Sequence, residues 1–204
     1  MNTPILVPRL LSLTLLCASA AEAATLTVTV GDAAGKPLLD AVVLLESTQG
    51  KLAVKPMADA EISQSKRTFQ PRVTLITTGT RVTFPNFDTV RHHVYSFAPI
   101  KTFELKLYAG VPNQPITFDK PDIAALGCNI HDTMAAWVVV ADTPYAARSD
   151  TDGVARIEGL PAGSYRMRVW HPALPPTPEP AASTLTLGSA DLAQAVRLAV
   201  GTEP

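Results

Sequence analysis

The sequence predicts an all-β fold built from β-sandwiches, and three observations support this prediction. Short runs rich in β-branched and aromatic residues recur along the chain, turns containing glycine or proline separate them, and helix signals are sparse. Many short strands with regular turn signals are typical of a sandwich or barrel. The 204 residues are 47% hydrophobic and 17% charged, so the chain can bury a core.

The N-terminal segment has the organisation of a secretory signal peptide. Residues 1–23 carry one positive charge, Arg9, followed by an apolar stretch and by the small-residue end Ala21-Glu22-Ala23. Signal peptides have this order of charged, apolar and cleavage regions. Cleavage would remove Cys17 and leave Cys128 as the single cysteine. We therefore expect a periplasmic protein without an internal disulfide.

The predicted strands are short runs that contain many β-branched, aromatic or apolar residues and follow one another along the chain. They comprise residues 25–30, 41–45, 92–97, 103–108 and 135–140. Residues 73–76 and 81–84 flank the turn Thr78-Gly79-Thr80, and this pattern predicts a β-hairpin. Residues 189–200 fit either an amphipathic helix or a closing strand, and their periodicity does not decide between the two.

The residues that can carry chemistry are concentrated in one short segment and one upstream strand. Cys128, His131 and Met134 lie within seven residues, and the pair His92 and His93 lies upstream. Two imidazoles, one thiol and a weak thioether form the ligand set of a blue-copper electron-transfer site. Sulfur ligands favour Cu(I) and imidazole suits Cu(II), so this set can hold both oxidation states.

Other uses of the same side chains are open at this point. Zinc also binds cysteine and histidine, although a neutral thioether in the fourth position argues against zinc. Cys128 could act as a nucleophile with His131 as its base. No oxyanion or substrate motif accompanies these two residues, so we do not expect an enzyme.

The pattern resembles the cupredoxins, the blue copper proteins of the amicyanin and plastocyanin type. The matching motifs are Phe69-x-Pro71, Thr78-Gly79-Thr80-x-Val82-x-Phe84, Asn86-x-Asp88-x3-His92 and Cys128-x2-His131-x2-Met134. In that family the histidine six residues after the asparagine is the ligand, which selects His92 over His93. Alternation along a strand agrees, because His92 and Val94 would share the inward face. Residues 92–97 and 127–132 resemble, more specifically, periplasmic methylamine utilisation proteins.

The resemblance implies a cupredoxin-like Greek-key β-sandwich or barrel over residues 59–142. It further implies one type 1 copper ion bound by His92, Cys128, His131 and Met134. Cupredoxins usually have an asparagine directly after the first histidine ligand, where this chain has His93, so a contribution of His93 to the site stays open. The resemblance also implies redox partners such as a dehydrogenase and a c-type cytochrome.

The C-terminal part carries a second set of strand and turn signals. Asp152-Gly153 predicts a tight turn between strands, and Tyr165 and Met167 would share one face of the following strand. Residues 149–169 resemble the carboxypeptidase regulatory-like, transthyretin-like β-sandwich, and residues 26–45, which include the segment 35–43, resemble its opening hairpin.

We therefore expect residues 25–50 and 143–204 to form one small β-sandwich into which the cupredoxin-like domain is inserted. In the alternative, the N-terminal hairpin belongs to the cupredoxin-like domain and a short C-terminal domain stands alone. Contact of Val28 or Val42 with Tyr165 would favour the insertion.

The predicted function is the transfer of single electrons between redox partners by a periplasmic type 1 copper protein. The alternative is a copper-binding carrier or sensor without an electron-transfer role. The formal net charge of −1 argues against nucleic-acid binding. No apolar run reaches the roughly 18 residues of a membrane span.

Overall fold

The computed structural model describes residues 23–131, 133–175 and 182–201, and every regular element in these ranges is a β-strand. The prediction of an all-β fold is therefore confirmed. The predicted signal peptide, residues 1–23, lies outside the described residues except for its last position. Within the described ranges, no helix is long and apolar enough to cross a membrane.

The strands form two β-sandwiches, which we name by the part of the chain that builds them. The terminal sandwich contains β1 (Ala24–Asp32), β2 (Val42–Ser47), β13 (Tyr145–Arg148), β14 (Val154–Leu160), β15 (Gly163–Trp170), β16 (Ala182–Leu187) and β17 (Leu192–Leu198). The central sandwich contains β3 (Ala60–Glu61), β4 (Ser63–Ser65), β5 (Thr68–Gln70), β6 (Val73–Thr77), β7 (Thr80–Thr83), β8 (His92–Ala98), β9 (Lys101–Tyr108), β10 (Ile116–Phe118), β11 (Asp122–Cys128) and β12 (Ala135–Ala141).

The terminal sandwich joins strands that are far apart in the sequence. Its sheets have the orders β14-β1-β17 and β13-β2-β15-β16. Strand β1 pairs with β14 in antiparallel and with β17 in parallel orientation. Val28 and Tyr165 belong to the same apolar core between these sheets. The pairings support a division into residues 25–50 with 143–204 and residues 59–142, and this division stays a prediction.

Residues 189–200, which the sequence left undecided, contain the strand β17 and no helix. The strand pairs with β1 over its whole length, from Leu26 opposite Leu192 to Asp32 opposite Leu198. This pairing satisfies backbone groups of β1 that would otherwise form an open sheet edge. A helix would leave those groups without partners, so long-range pairing decides the conformation.

The central sandwich packs a sheet of order β6-β12-β11-β8-β9 against a sheet of order β10-β7-β3. The predicted hairpin of residues 73–76 and 81–84 is wrong, because β6 and β7 lie in opposite sheets. The Thr78 N–H donates to the carbonyl of Ala141 in one sheet, and the Gly79 N–H donates to the carbonyl of Phe118 in the other. The turn therefore carries the chain across the core and does not fold it back.

A third apolar layer lies between the two sandwiches. Val42 and Leu44 of β2 pack in one buried cluster with Val139 and Ala141 of β12. On the same two strands, Val43 and Val138 have the opposite orientation and belong to the two sandwich cores. The sheet that contains β2 and the sheet that contains β12 thus have apolar layers on both faces. This explains why β2 and β12 contain consecutive apolar residues that do not alternate with polar ones.

Candidate metal centre

Three side chains that can bind a metal meet at one end of the central sandwich. His92 begins β8, Cys128 ends β11, and His131 follows in the loop that leads to β12. Cys128 pairs with Val94, so the thiol lies beside the imidazole two residues before Val94 on the same face. One ligand atom of each of His92, Cys128 and His131 lies within 4.8 Å of the others.

His92 is completely buried, and each of its ring nitrogens has a defined neighbour. Nδ1 lies 3.7 Å from the Sγ of Cys128, and Nε2 lies 2.9 Å from the Oδ2 of Asp88. A carboxylate can only accept a hydrogen bond, so Nε2 carries the hydrogen. Nδ1 is then the nitrogen that is available to a metal.

His131 is half-buried, and its ring centroid lies 5.1 Å from that of His92. The Nδ1 of His131 is buried and has no hydrogen-bond partner. Leaving a buried polar atom unpaired costs about 1–3 kcal/mol, and a bond to a metal would remove that cost. The unpaired nitrogen, the thiol and the second imidazole therefore fit a metal ion that accepts nitrogen and sulfur ligands.

Met134 is 2% exposed and packs in the same apolar cluster as Cys128. Its N–H donates to the carbonyl of His131 at 3.0 Å, and the N–H of Asn129 donates to the carbonyl of His93 at 3.3 Å. The loop between β11 and β12, which we call the ligand loop, is thus held at both ends. The structure brings the cysteine and the two histidines together with Met134 in the adjoining core, while copper binding by all four stays a prediction.

His93 lies on the outward face of β8, next to the inward-facing His92. Its Nε2 is 2.8 Å from the Oε1 of Glu104, and its Nδ1 is 3.4 Å from the Nδ2 of Asn129. Successive residues of a strand point to opposite faces of the sheet, which explains why His92 is buried beside Cys128 and His93 is not. His93 thus connects the start of the ligand loop to β9.

Asn86 shapes the loop that leads into His92. It is 4% exposed, and its Nδ2 donates to the carbonyls of Val90 and Tyr108 at 2.9 and 3.0 Å. Its Oδ1 accepts the N–H of Asp88 at 2.9 Å. The loop is therefore bonded to its own far end and to β9, and His92 enters β8 from a fixed position.

A β-bulge between β8 and β9 lies next to the site, because the register shifts between His92 and Val94. Bulges occur often beside functional sites, where they redirect a side chain. The hydroxyl of Tyr108, opposite His92, donates to the carbonyl of Phe84 at 2.6 Å and accepts from Gln64. Burial raises the pKa of Tyr108 to about 12.

Asp88 is held by groups that the sequence did not connect with it. Burial alone would raise the pKa of Asp88, but the N–H of Arg67, the side chain of His92 and the N–H of Lys66 together hold the pKa below its usual value. The motif before His92 contains Asp88. Nothing in the sequence pattern pointed to Lys66 and Arg67, because this contact joins two separate loops.

A comparison with protein-family models found no match, and neither did a comparison with curated protein sequences. Among solved structures, a purple cupredoxin from Nitrosopumilus maritimus is similar at 22% identity and a TM-score of 0.36, over 40% of this chain and 99% of that one. Amicyanin from Paracoccus versutus is similar at 18% identity and a TM-score of 0.35, over 47% of this chain and 96% of that one. The copper-containing nitrite reductase NirK from Thermus scotoductus is similar at 22% identity and a TM-score of 0.38, over 55% of this chain and 28% of that one.

These solved structures include cupredoxins, as the sequence resemblance led us to expect, at low identity and over part of the chain. The finer resemblances, to methylamine utilisation proteins and to the carboxypeptidase regulatory-like sandwich, stay predictions.

Proposed function

We propose that the protein is a type 1 copper protein that carries single electrons in the periplasm. The observation that supports this most strongly is the cluster of His92, Cys128 and His131, whose ligand atoms lie within 4.8 Å of one another. Two imidazoles and a thiolate, with a weak thioether as the fourth ligand, suit copper in both oxidation states. Bound copper would alternate between Cu(I) and Cu(II) and so take up or release one electron at a time.

Paired strands and packed side chains hold the proposed ligands in place. His92 and Cys128 lie on neighbouring strands of a five-stranded sheet, so backbone hydrogen bonds set their separation. Met134 and Cys128 are 2% and 4% exposed, which keeps water away from the sulfur side of the site. Donors held by packed secondary structure stay in place when the charge of the site changes. A small rearrangement between the two states is what rapid electron transfer requires.

His131 is the proposed exit for the electron, because it is the half-buried member of the cluster. Its neighbour Ile130 is 48% exposed and offers an apolar contact at this end of the molecule. The formal net charge of −1 provides little long-range steering, so apolar contact is expected to dominate docking. A dehydrogenase and a c-type cytochrome are the partner classes that we propose from the resemblance.

The terminal sandwich, proposed to comprise residues 25–50 and 143–204, has a supporting role in this scheme. The apolar layer that includes Leu44 and Val139 attaches it to the large sheet of the central sandwich. That sheet carries His92 and Cys128 on its other face. The layer therefore stiffens the sheet that holds two of the proposed ligands.

The visible absorption spectrum of the copper-loaded protein tests the proposal directly. We expect an intense thiolate-to-copper charge-transfer band in the wild type, which Cys128→Ser abolishes. His92→Gln should weaken or abolish the same band, whereas the matched control His93→Gln should keep it. A wild-type protein that binds copper without such a band would contradict the type 1 assignment.

Electrochemistry separates the electron carrier from a copper carrier or sensor. Repeated oxidation and reduction without loss of copper would support electron transfer. Ready transfer of copper to an acceptor chelator, with irreversible voltammetry, would support metal delivery. The copper content of the protein is measured before and after each series.

A further inference from the structure

The buried ring of His92 is held from behind by a carboxylate. The Oδ2 of Asp88 lies 2.9 Å from the Nε2 of His92, while the Nδ1 on the other side of the ring faces the Sγ of Cys128 at 3.7 Å. The side chain of His92 is 0% exposed and that of Asp88 is 16% exposed. The carboxylate therefore closes the side of the imidazole that lies opposite the thiol.

Asp88 is itself bound by a separate part of the chain. Its Oδ1 accepts the N–H of Lys66 at 2.7 Å, and its Oδ2 accepts the N–H of Arg67 at 2.9 Å. Its own N–H donates to the Oδ1 of Asn86 at 2.9 Å. The N–H groups of Lys66 and Arg67 therefore orient the carboxylate toward His92, and the bond from the Asp88 N–H to Asn86 fixes its backbone.

The turn that supplies these donors has an energetically unfavourable backbone conformation. Lys66 and Arg67 connect β4 to β5 and have φ angles of +54° and +57°, in the left-handed region. Residues with a Cβ rarely adopt this region, and glycine or asparagine is the usual choice in such a hairpin turn. The conformation presents two successive N–H groups to the same carboxylate. Binding of Asp88 offsets part of this cost.

We propose that Asp88 is a positioning residue that holds His92 with its hydrogen on Nε2 and its Nδ1 lone pair directed at the metal position. This inference rests on the proposed copper site, and it concerns a contact between two of this chain's own side chains. A carboxylate behind a ligating histidine fixes the tautomer and the ring orientation and makes the imidazole a stronger donor. Stronger donation stabilises Cu(II) relative to Cu(I), so Asp88 is expected to lower the reduction potential.

The first experiment uses the metal-free protein and measures the ring-nitrogen NMR shifts of His92. Wild-type protein should show one tautomer, with hydrogen on Nε2. Asp88→Ala should give a mixture of tautomers or hydrogen on Nδ1, because the acceptor is gone. If Asp88→Ala does not fold, Asp88→Leu decides, because its side chain has a similar shape and no hydrogen-bond acceptor. Asp88→Asn, whose amide oxygen can still accept from Nε2, is used only for the measurements below that depend on charge.

The second experiment measures copper affinity and reduction potential in the same proteins. Asp88→Asn should weaken Cu(II) binding by about 10- to 100-fold, as is usual when a partner of a ligating histidine is removed. Its reduction potential should shift upward. The matched control is Asp150→Asn in the terminal sandwich, because Asp150 also accepts two backbone N–H groups, from Asp152 and Val154, with its side chain. Asp150→Asn should leave the tautomer, affinity and potential of the site unchanged.

The possible results separate the two proposals. Asp88 variants that lose thermal stability but keep the tautomer, copper affinity and potential would overturn the positioning role. A wild-type protein without a thiolate-to-copper band would overturn the copper site. In that case the NMR tautomer still decides whether Asp88 positions His92.

Discussion

His92 and His171 are both buried histidines, one in the central sandwich and one at the end of β15 in the terminal sandwich, yet their ring nitrogens have different partners. His171 Nε2 lies 3.0 Å from the carbonyl of Leu39, and its Nδ1 accepts the N–H of Ala173 at 3.1 Å. Backbone groups therefore satisfy both nitrogens of His171. In the central sandwich, His92 Nδ1 faces a thiol, and the buried Nδ1 of His131 has no hydrogen-bond partner.

The comparison teaches that burial alone does not distinguish a structural histidine from one that can bind a ligand. A ring nitrogen that is hydrogen-bonded to the backbone is not available to a metal, because breaking the bond leaves a buried backbone group unpaired. A nitrogen that faces only a thiol, or nothing, can bind a metal without such a loss. By this criterion His171 stabilises the fold, whereas His92 and His131 each offer a nitrogen to the proposed copper site.

Replacing each of the two buried histidines with alanine gives the largest expected effect. His92→Ala should abolish the thiolate-to-copper band, and it should also lower the free energy of unfolding, because it leaves a cavity and removes the hydrogen-bond partner of the Asp88 carboxylate. His171→Ala should keep the band and lower the free energy of unfolding by about 1–3 kcal/mol, because the Leu39 carbonyl and the Ala173 N–H lose their partner. Absorption spectra and denaturant unfolding of both variants check this. Loss of the band in His171→Ala would contradict the distinction.

The layer between the sandwiches provides the next test. Leu44 lies in this layer and Leu45 lies in the core of the terminal sandwich, so neighbouring residues report on different interfaces. Each change to alanine should lower the free energy of unfolding by about 2–5 kcal/mol. Only Leu44→Ala should split unfolding into two transitions, because it weakens the contact between the sandwiches. Calorimetry measures this, and a single transition in both variants would count against separate sandwiches.

Alkaline pH tests a buried tyrosine in each sandwich, because burial raises the pKa of Tyr108 and also that of Tyr165 in the terminal sandwich. Burial raises the pKa of Tyr108 to about 12, from 10.0 in the unfolded chain. The protonated hydroxyl is favoured in the folded state, so its stabilisation is complete below pH 10 and declines as the pH rises from 10 to about 12. Tyr108→Phe should flatten this decline in the central sandwich. Urea unfolding at several alkaline pH values measures it, and an unchanged slope in the variant would be evidence against the burial effect.

The smallest expected effect concerns the strained turn between β4 and β5. Arg67→Gly keeps the N–H that binds Asp88 and removes the Cβ from a φ of +57°. Stability should rise by about 0.5–1 kcal/mol, the left-handed cost of about 1–2 kcal/mol less the added freedom of glycine when unfolded. The copper band should not change.

Gly153→Ala in the terminal sandwich is the control for this change. Gly153 has a φ of +74°, and a Cβ there would clash with the carbonyl oxygen of Val30. This variant should lose stability, measured by the same unfolding experiment. A loss of stability in Arg67→Gly as well would show that the turn is not strained.

The residue types and their local order are enough to predict much of this protein. Runs rich in β-branched or aromatic residues, such as residues 25–30 and 92–97, form the strands β1 and β8. The separation of His92 from His93 also follows from local chemistry, because alternate residues of a strand face opposite sides. The cysteine, histidine and methionine of the ligand loop are close in sequence, so their proximity in space needs no long-range information.

Other features depend on contacts between distant segments and could not be predicted. Residues 189–200 became a strand because β1 needed a partner, and the turn around Gly79 crosses the core because its donors bind strands of different sheets. Asp88 holds His92 only because the hairpin of Lys66 and Arg67 lies against it. Local order in the sequence determines strands and candidate ligands, whereas hydrogen bonds between distant segments decide sheet partners and the tautomer of a buried histidine. These bonds form only when the sheets pack, and for that reason only the tertiary structure reveals them.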